Sequence, residues 1–385
     1  MSEPGRLRVL SIAHPAVTGD GGRLRYYQMA ARTDVDVHLV VPAVWHEFGR
    51  TMLAAPSDDP RLTLHVLPTR LPRAGPMSWY LHFYPGLRRL VHELKPDVIH
   101  LWEEPWSFVA MQARILKGPA ALVMEVDQNI LKRLPPPFEW IRRQVLDRTD
   151  HVLSRSPDAT AVVRARGYAG PVSRIGYGVD LSNFHPDVAP VLPPAVPPEF
   201  RIGYVGRLVE EKGLDDALDA MILARAPVTL AIMGEGPYEG RLRQRIAELG
   251  LADRVTLRGW GTPADVAAFL RSLDAMVLLT RTTKSVREQF GRVIVESQAC
   301  GVAVIGSQSG AIPDVVGDGG WIVPEHDPEA LARQLDVIAA DPHMLRARGV
   351  AAQSNVRSRF TYEAVAEDLV SACFAASQHK RAGSD

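Results

Sequence analysis

Short apolar runs alternate with stretches of helical periodicity along most of the chain. In the first half, six such runs predict strands, at residues 8–13, 35–41, 62–67, 97–101, 120–126 and 150–154. Residues 86–94 and 157–166 carry apolar positions at helical spacing between them. Several of the runs are almost entirely apolar, which is typical of parallel strands covered by helices on both faces. The pattern therefore predicts an α/β domain.

A proline-rich segment at residues 188–199 interrupts this alternation. Five prolines rule out a helix and disfavour a strand there; they are Pro190, Pro193, Pro194, Pro197 and Pro198. Strands are predicted again at residues 200–205, 228–233, 255–258, 275–279 and 302–305. We interpret the segment as a stiff, extended linker between two similar domains.

The chain has 385 residues, and a single core usually divides above about 250–300 residues. We predict two Rossmann-like domains, at residues 1–185 and 200–360, with the linker at 186–199. The remaining segment, 361–385, is predicted to be a helix that packs back on the first domain. Doubly wound sheets bind ligands beyond the carboxyl ends of their strands, so the loops after strands are the places to search.

The composition changes this picture little. Apolar residues make up 46% and charged residues 23%, with a formal net charge of zero, which is typical of a globular protein without a nucleic-acid bias. Two cysteines exclude a disulfide framework or a cysteine-rich metal site. Neither a signal peptide nor a transmembrane segment is recognisable. We expect a cytoplasmic protein.

The first loop of interest contains Gly19, Gly21 and Gly22 and lies between a strand and a helix that begins near Arg23. Glycines let a backbone approach a ligand, and a helix amino terminus attracts anions. The dinucleotide fingerprint is incomplete, because its third glycine position holds Leu24. An anion-binding loop and an ordinary tight turn both remain open.

The second domain begins with the loop GRLVEEKG, residues 206–213. Arg207 and Lys212 lie just before a helix at about Leu214, where cations oppose the helix dipole. A bound diphosphate would accept both cations and the free amides together. The alternative is that both cations pair with Glu210 and Glu211 at the surface.

The segment EQFGRVIVE, residues 288–296, precedes another predicted strand. Its apolar positions predict a helix against the sheet, with Gly291 near its start. Eight residues of helix rise about 12 Å, so Glu288 and Glu296 could contact opposite ends of one elongated ligand. Alternatively, Glu288 caps the helix and Glu296 is a solvated helix residue.

These three segments, with GVAVIGSQSGAIPDVV at residues 301–316, resemble the family-4 retaining glycosyltransferases of the GT-B fold. The resemblance covers nearly the whole chain and is strongest from residue 203 to about 323. It implies an α/β protein of GT-B architecture, with two Rossmann-like domains whose parallel sheets face a central cleft. It also implies a transferase that uses a nucleotide-diphosphate sugar.

The resemblance assigns roles to individual residues. Arg207 and Lys212 should bind the donor diphosphate and stabilise the leaving group. Glu288 should bind hydroxyls of the transferred sugar, and Glu296 those of the ribose. Other donor contacts are implied for Gly21, Gly22, Gly206, Phe290, Gly291, Arg292 and Val293. Trp260 lies where the family places the nucleotide base, where it could stack or simply pack at the surface.

The chain departs from the family pattern after the fourth strand. A motif resembling H-x-H-E-P is common there, but Trp102 occupies the position of its second histidine. A histidine acting on the donor sugar is therefore in doubt. Trp102 and Glu103 are candidates on the acceptor side. Asp127, after the next strand, and Glu103 are the polar substitutes for the histidine, unless both are ordinary loop carboxylates.

The implied mechanism is retaining transfer by front-side attack, in which the leaving phosphate helps to deprotonate the acceptor. A double displacement would need a carboxylate beside the anomeric carbon, and Asp127 is the residue to test for that. The only Asp-x-Asp, Asp34 to Asp36, enters a strand instead of leaving one. We therefore expect no metal and no cofactor besides the donor.

The first domain should select the acceptor. Residues 61–95 and 132–148 are rich in basic and aromatic side chains, which suits a lipid-linked acceptor or an anionic membrane. An ordinary helix with a buried aromatic stripe is the alternative. The expected partners are a nucleotide sugar and a glycan, lipid-linked or small-molecule acceptor, with peripheral contact to the inner face of the membrane.

The sequence therefore predicts a retaining hexosyl- or N-acetylhexosaminyltransferase that uses a UDP- or GDP-linked sugar in polysaccharide or related biosynthesis. Two alternatives stay open. One is another GT-B enzyme, such as a nucleotide-sugar epimerase. The other is a non-catalytic protein that binds sugar nucleotides.

Overall fold

The computed structural model describes residues 5–19, 21–47, 50–70, 78–193 and 199–382. These residues form two compact units. Unit 1 comprises Met1–Gly178 and Tyr362–Asp385, and unit 2 comprises Val179–Thr361.

Unit 1 is built on a seven-stranded sheet. Its strands are β1 (Leu7–Ile12), β2 (Val35–Pro42), β5 (Thr63–Leu67), β6 (Val98–Leu101), β7 (Ala121–Val126), β8 (His151–Ser154) and β9 (Val172–Arg174). Two further strands, β3 (Val44–Glu47) and β4 (Arg50–Leu53), form a separate antiparallel hairpin. The sheet order is β5-β2-β1-β6-β7-β8-β9, and every pair is parallel. The carboxyl ends of these strands therefore share one edge.

Helices follow most of these strands. They are α1 (Leu24–Ala30), α2 (Ser78–Leu81), α3 (Leu87–Leu94), α4 (Phe108–Leu116), α5 (Phe138–Leu146) and α6 (Pro157–Ala165). Serine N-caps define where two of these helices begin. At the start of α4 the Ser107 hydroxyl accepts a hydrogen bond from the amide of Ala110, and at the start of α6 the Ser156 hydroxyl accepts one from the amide of Ala159. The sheet of unit 1 is covered on both faces, because its alternate residues belong to two separate buried clusters.

Unit 2 repeats the plan with six parallel strands in the order β12-β11-β10-β13-β14-β15. They are β10 (Phe200–Val205), β11 (Val228–Met233), β12 (Val255–Arg258), β13 (Ala275–Leu278), β14 (Ala303–Ser307) and β15 (Gly320–Val323). Its helices are α7 (Leu214–Leu223), α8 (Glu239–Glu248), α9 (Pro263–Leu270), α10 (Arg292–Ala299), α11 (Ile312–Val316), α12 (Pro328–Ala340) and α13 (Pro342–Arg359).

The last helix, α14 (Tyr362–Ala382), belongs to unit 1 although it follows unit 2 in the chain. It packs against α1 and over β6 to β9. Its apolar face carries Val365, Leu369 and Cys373, which are buried in one cluster with Met29 and Leu39. The helix thus closes one face of the first sheet.

The described part of the proline-rich segment, predicted as a stiff, extended linker at 186–199, belongs to unit 2. The boundary between the units falls between Gly178 and Val179 instead of at residue 185. The amides of Val191 and Leu192 donate to the Ser272 hydroxyl just after α9, so this part of the segment is fixed on unit 2. Residues 194–198, with three of the five prolines, lie outside the described residues.

The predicted α/β class is confirmed, and every predicted strand is present within about two residues. The hairpin of β3 and β4 and the short strands β9 and β15 were not predicted. Among the described residues, no helix is both long enough and apolar enough to cross a bilayer.

Candidate functional site

The loops that follow β10 and β11 press closely on one another in unit 2. Gly234 has φ 150°, and a Cβ atom at this position would lie 1.9 Å from the carbonyl oxygen of Gly206. The adjoining Arg207 backbone is fixed by Tyr204, whose hydroxyl donates to the carbonyl of Arg207 at 2.8 Å. Glycine is needed because two backbones meet where only a hydrogen fits.

Arg207, held by this backbone, presents an exposed side chain. Within the described part of the chain its guanidinium makes no ion pair, so the surface pairing with Glu210 and Glu211 is not formed. An unpaired cation after the first strand of a doubly wound sheet lies where such folds bind anionic ligands. The position of Arg207 suits a phosphate group.

Lys212 and Glu288 come together although 76 residues separate them in sequence. The Lys212 ammonium donates to Oε2 of Glu288 at 2.6 Å. The hydroxyl of Thr280, which follows β13, donates to the same oxygen at 2.6 Å. The ammonium, carboxylate and hydroxyl thus form one polar cluster where the loop after β10 meets the loop between β13 and α10.

Glu288 lies in the loop before α10, because that helix begins only at Arg292. The predicted eight-residue helical rise from Glu288 to Glu296 is therefore wrong. Glu288 does not cap the helix either, since Gly291 is the N-cap, with φ 81° and no side-chain cap. Its backbone is instead anchored to the loop after β14, where the amide of Ala311 donates to the Glu288 carbonyl at 3.0 Å.

The residues around the start of α10 have different environments. Phe290 is 2% exposed and packs edge-on against Phe360. Arg292 is exposed, while Gly291 and Val293 are half-buried. The Phe290 ring therefore has a core role, and a donor contact here would come from the backbone.

Glu296 lies one turn further along α10 and is half-buried. Burial raises the pKa of its carboxyl, and the charge of Arg292 offsets part of that rise. Such a carboxyl can hold hydroxyl groups by hydrogen bonds without a full salt bridge.

Trp260 follows β12 and is 52% exposed. Its backbone amide lies 3.3 Å from a carboxylate oxygen of Glu235, in the loop after β11. The exposed ring is therefore carried on a backbone tied to the neighbouring loop, and it is available for stacking.

In unit 1, the glycine loop after β1 is held from inside by Arg23. This arginine is fully buried and donates to the carbonyls of Ala16, Val17, Ala55 and Pro56. Gly22 is required because a Cβ atom there would lie 2.4 Å from the Pro15 carbonyl oxygen. Gly21 has φ 55°. Gly21 and Gly22 therefore lie beside a segment that the buried Arg23 fixes by four hydrogen bonds.

Asp127 follows β7 and is held by two side chains. Arg155 donates to one carboxylate oxygen at 2.7 Å and the Tyr177 hydroxyl to the other at 3.2 Å. Its amide donates to Glu104 at 3.0 Å. Burial is the main cause that raises the pKa of Glu104 to about 8, and the nearby negative charge of Asp127 also contributes. Asp127 is thus oriented, but it is engaged with Arg155.

Trp102 is only 7% exposed and packs under the Arg25 guanidinium, 3.5 Å from the ring centroid. Arg25 reaches Glu125 at 2.7 Å, and Glu125 also binds Arg155 and His100. Burial alone would raise the pKa of Glu125, but the two arginines hold it well below its ordinary value. Trp102 is therefore part of a buried charge network and not an open acceptor surface.

Glu103 is also buried, with 1% of its side chain exposed. Its Oε1 atom lies 2.7 Å from Nδ1 of His14 and 3.6 Å from Nε2 of His82. Burial acts to raise the pKa of Glu103, yet the two imidazoles lower it to about 2. The carboxylate is therefore occupied within unit 1, where an acceptor would not reach it directly.

The sequence interpretation did not include Thr280 or Glu104. Both follow a strand at the edge where ligands of such sheets bind, so inspecting every strand end would have identified them. The buried network of Arg25, Glu125 and Arg155 could not be recognised from a local sequence pattern. About 100 residues separate Arg25 from Glu125, and 30 separate Glu125 from Arg155.

Two doubly wound units with parallel sheets are the architecture of the GT-B class of glycosyltransferases. Family models agree with this. The model described as glycosyl transferases group 1 matches residues 194–355, and the model described as glycosyltransferase family 4 matches residues 25–183. The chain belongs to the family-4 glycosyltransferases.

Two relatives named D-inositol 3-phosphate glycosyltransferase are similar over most of the chain. The protein of Mycobacterium ulcerans (strain Agy99) is 30% identical, over 81% of this chain and 68% of its own. That of Streptomyces bingchenggensis (strain BCW-1) is 28% identical, over 94% and 88%. A GDP-mannose-dependent phosphatidylinositol monomannoside mannosyltransferase of Mycobacterium tuberculosis (strain H37Rv) is 28% identical, over 74% and 77%.

Solved structures share the fold at low identity. HepE of Anabaena, in complex with UDP and glucose, matches with a TM-score of 0.62 and 18% identity, covering 95% of this chain and 99% of that one. Sucrose-phosphate synthase of Thermosynechococcus elongatus matches with a TM-score of 0.67 and 22% identity, covering 95% and 98%. The predicted GT-B fold is confirmed, and the protein is a glycosyltransferase.

Proposed function

We propose that this protein is a retaining glycosyltransferase that moves a sugar from a UDP- or GDP-linked donor to a hydroxyl group. The acceptor is a glycan, a lipid-linked molecule or a small molecule. The observation that supports this best is the unpaired Arg207 in the same unit as the cluster of Lys212, Glu288 and Thr280. Arg207 and Lys212 supply two cations for a diphosphate, and Glu288 supplies a carboxylate for sugar hydroxyls.

The donor diphosphate would bind Arg207 and Lys212, whose charges would also stabilise the leaving group. Glu288 would hold the transferred sugar and Glu296 the ribose, with Trp260 against the base. No metal is needed to neutralise the diphosphate in this proposal. The names of the relatives include a GDP-mannose-dependent enzyme, and HepE was solved with UDP, so both nucleotides belong in the first test.

A panel of nucleotide sugars and acceptors tests the proposal. We expect one UDP- or GDP-sugar to raise the melting temperature and to release its nucleotide only when an acceptor is added. Inositol phosphates belong among the acceptors because of the relatives' names. NMR of the product would show whether the anomeric configuration is retained. Release without an acceptor would favour the epimerase-like alternative, and binding without release the non-catalytic one.

Arg207→Ala should weaken binding of the selected nucleoside diphosphate by about 10- to 100-fold, the scale of a lost charge-assisted hydrogen bond. Titration calorimetry measures this directly. Arg225→Ala is the matched control, because Arg225 is also exposed but follows the carboxyl end of α7. Equal affinity of Arg207→Ala and the control would remove Arg207 from the donor site.

The proposed acceptor-side membrane contact is best supported by the exposed surface that residues 131–133 and 140 of unit 1 contribute. Trp140 on α5 is 56% exposed and Leu131 is 57% exposed, and the basic residues Lys132 and Arg133 are exposed as well. By contrast, the aromatic Tyr84 belongs to the core, which favours the ordinary-helix alternative for residues 61–95.

We propose that this surface binds the anionic inner face of the cytoplasmic membrane. Flotation with phosphatidylglycerol vesicles at low salt should recover the protein, and Trp140→Ala should reduce recovery severalfold. Trp260→Ala, which removes an equally exposed tryptophan from unit 2, should not. Failure to float at low salt would contradict membrane contact.

A further inference from the structure

Three potential metal ligands converge in unit 1 from three separate segments. His14 follows β1, His82 precedes α3 and Glu103 follows β6. Nδ1 of His14 and Nε2 of His82 lie 2.7 Å and 3.6 Å from Oε1 of Glu103. All three ligand atoms lie within 4.8 Å of one another. The cluster is the one such group among the described residues.

Two imidazole nitrogens and one carboxylate oxygen are a donor set that zinc uses in proteins. Around a tetrahedral zinc ion, ligand atoms at the usual bond lengths are about 3.4 Å apart. The two separations from Oε1 of Glu103, 2.7 Å and 3.6 Å, lie on either side of this value.

The surroundings of the cluster are those of a closed site with one opening. The side chains of His82 and Glu103 are each 1% exposed, whereas that of His14 is 15% exposed, which leaves a path for an ion. The rings of Trp45 and Tyr84 pack against His82, with centroids 4.9 Å and 5.8 Å away. The buried Tyr84 hydroxyl has no hydrogen-bond partner within the described residues, although a buried hydroxyl usually has one.

We infer that His14, His82 and Glu103 bind one divalent transition-metal ion, for which zinc is the probe. The ion would tie the start of the glycine loop to the end of β6 and to the segment before α3. Its role is to hold this edge of unit 1 together. The inference does not depend on the proposed transfer reaction, and no step of that reaction is assigned to the ion.

The test uses the full chain without an affinity tag, stripped with a chelator and then titrated with zinc chloride. Competition with a chromophoric chelator should give one bound ion per chain, and zinc should raise the melting temperature. His14→Ala and Glu103→Gln should each weaken zinc binding at least about 100-fold, beyond the usual effect of changing an outer-sphere partner. His82→Ala should do the same.

His65→Ala is the matched control. His65 pairs with His38 at 2.9 Å on another part of unit 1, so this pair is the competing site for a soft divalent ion. The control should bind zinc as tightly as the wild type. Circular dichroism establishes that each variant is folded. If His82→Ala does not fold, His14→Ala tests the site instead, because His14 is the most exposed of the three ligands. The inference is overturned if the wild type binds less than stoichiometric zinc, or if His65→Ala loses the ion while His14→Ala keeps it.

Discussion

Replacing Glu288 with alanine is expected to lower the rate of sugar transfer at least about 100-fold, the scale for removing one positioned group at a reaction centre. The carboxylate accepts hydrogen bonds from Lys212 and Thr280, both at 2.6 Å. Its loss would remove the proposed contact to the sugar and release the ammonium from its position. Binding of the nucleoside diphosphate alone should change much less, because in the proposal Glu288 contacts the sugar.

Steady-state kinetics with the donor and acceptor from the panel, together with calorimetry of the nucleoside diphosphate, separate these effects. Glu288→Gln should keep the hydrogen bond to Thr280 but lose the charge opposite Lys212, and it should fall between the wild type and Glu288→Ala. Glu329→Ala is the control, because Glu329 is a solvent-exposed carboxylate on α12 that faces Arg333. A Glu288→Ala enzyme within twofold of the wild type would exclude the assigned role.

Replacing Glu125 with alanine is expected to lower the free energy of unfolding by about 3–5 kcal/mol, the usual result when one partner of a buried ion pair is removed. Arg25 and Arg155, each almost fully buried, both bind this carboxylate. Without it, the Arg25 guanidinium would stay in the interior without a carboxylate partner, and Arg155 would keep only Asp127. Urea unfolding of the full chain, followed by circular dichroism, measures the loss.

Glu93→Ala is the control, since the pair of Glu93 and Arg89 is exposed and should contribute at most about 1 kcal/mol. The effect of Glu125 should also depend on pH. Its pKa is lower in the folded protein than in the unfolded chain, so its stabilisation is present above the unfolded pKa of about 4.3. It decreases as the pH falls toward the folded pKa. A Glu125→Ala protein as stable as the control would show that the network does not stabilise unit 1.

The sheets could be predicted because their central strands are buried on both faces. Runs such as β7 and β10 are apolar at nearly every position, which leaves few alternatives. The hairpin of β3 and β4 was missed because its exposed residues mix polar and apolar types without a period. Strand β15 was missed because it begins at a glycine and has only four residues.

The candidate site was predictable to the extent that each residue lies in a local motif at a strand end. Arg207 and Lys212 could be found in this way, whereas the position of Glu288 before the helix could not, because the αL N-cap at Gly291 leaves no periodic signal. The environments of Trp102 and Glu103 depend on Arg25, His14 and His82. Contacts between such distant segments form only in the folded sheet and therefore could not be predicted from the sequence.

The return of α14 to unit 1 affects the order in which the chain can fold during synthesis. Unit 2 is one contiguous stretch, Val179–Thr361, and can bury its core as soon as that stretch has left the ribosome. Unit 1 needs Val365, Leu369 and Cys373 to cover its sheet, and these are made after all of unit 2. Domains usually mature from the amino terminus onward; here the first unit to begin synthesis is the second to be completed, and its uncovered sheet face must stay soluble until then.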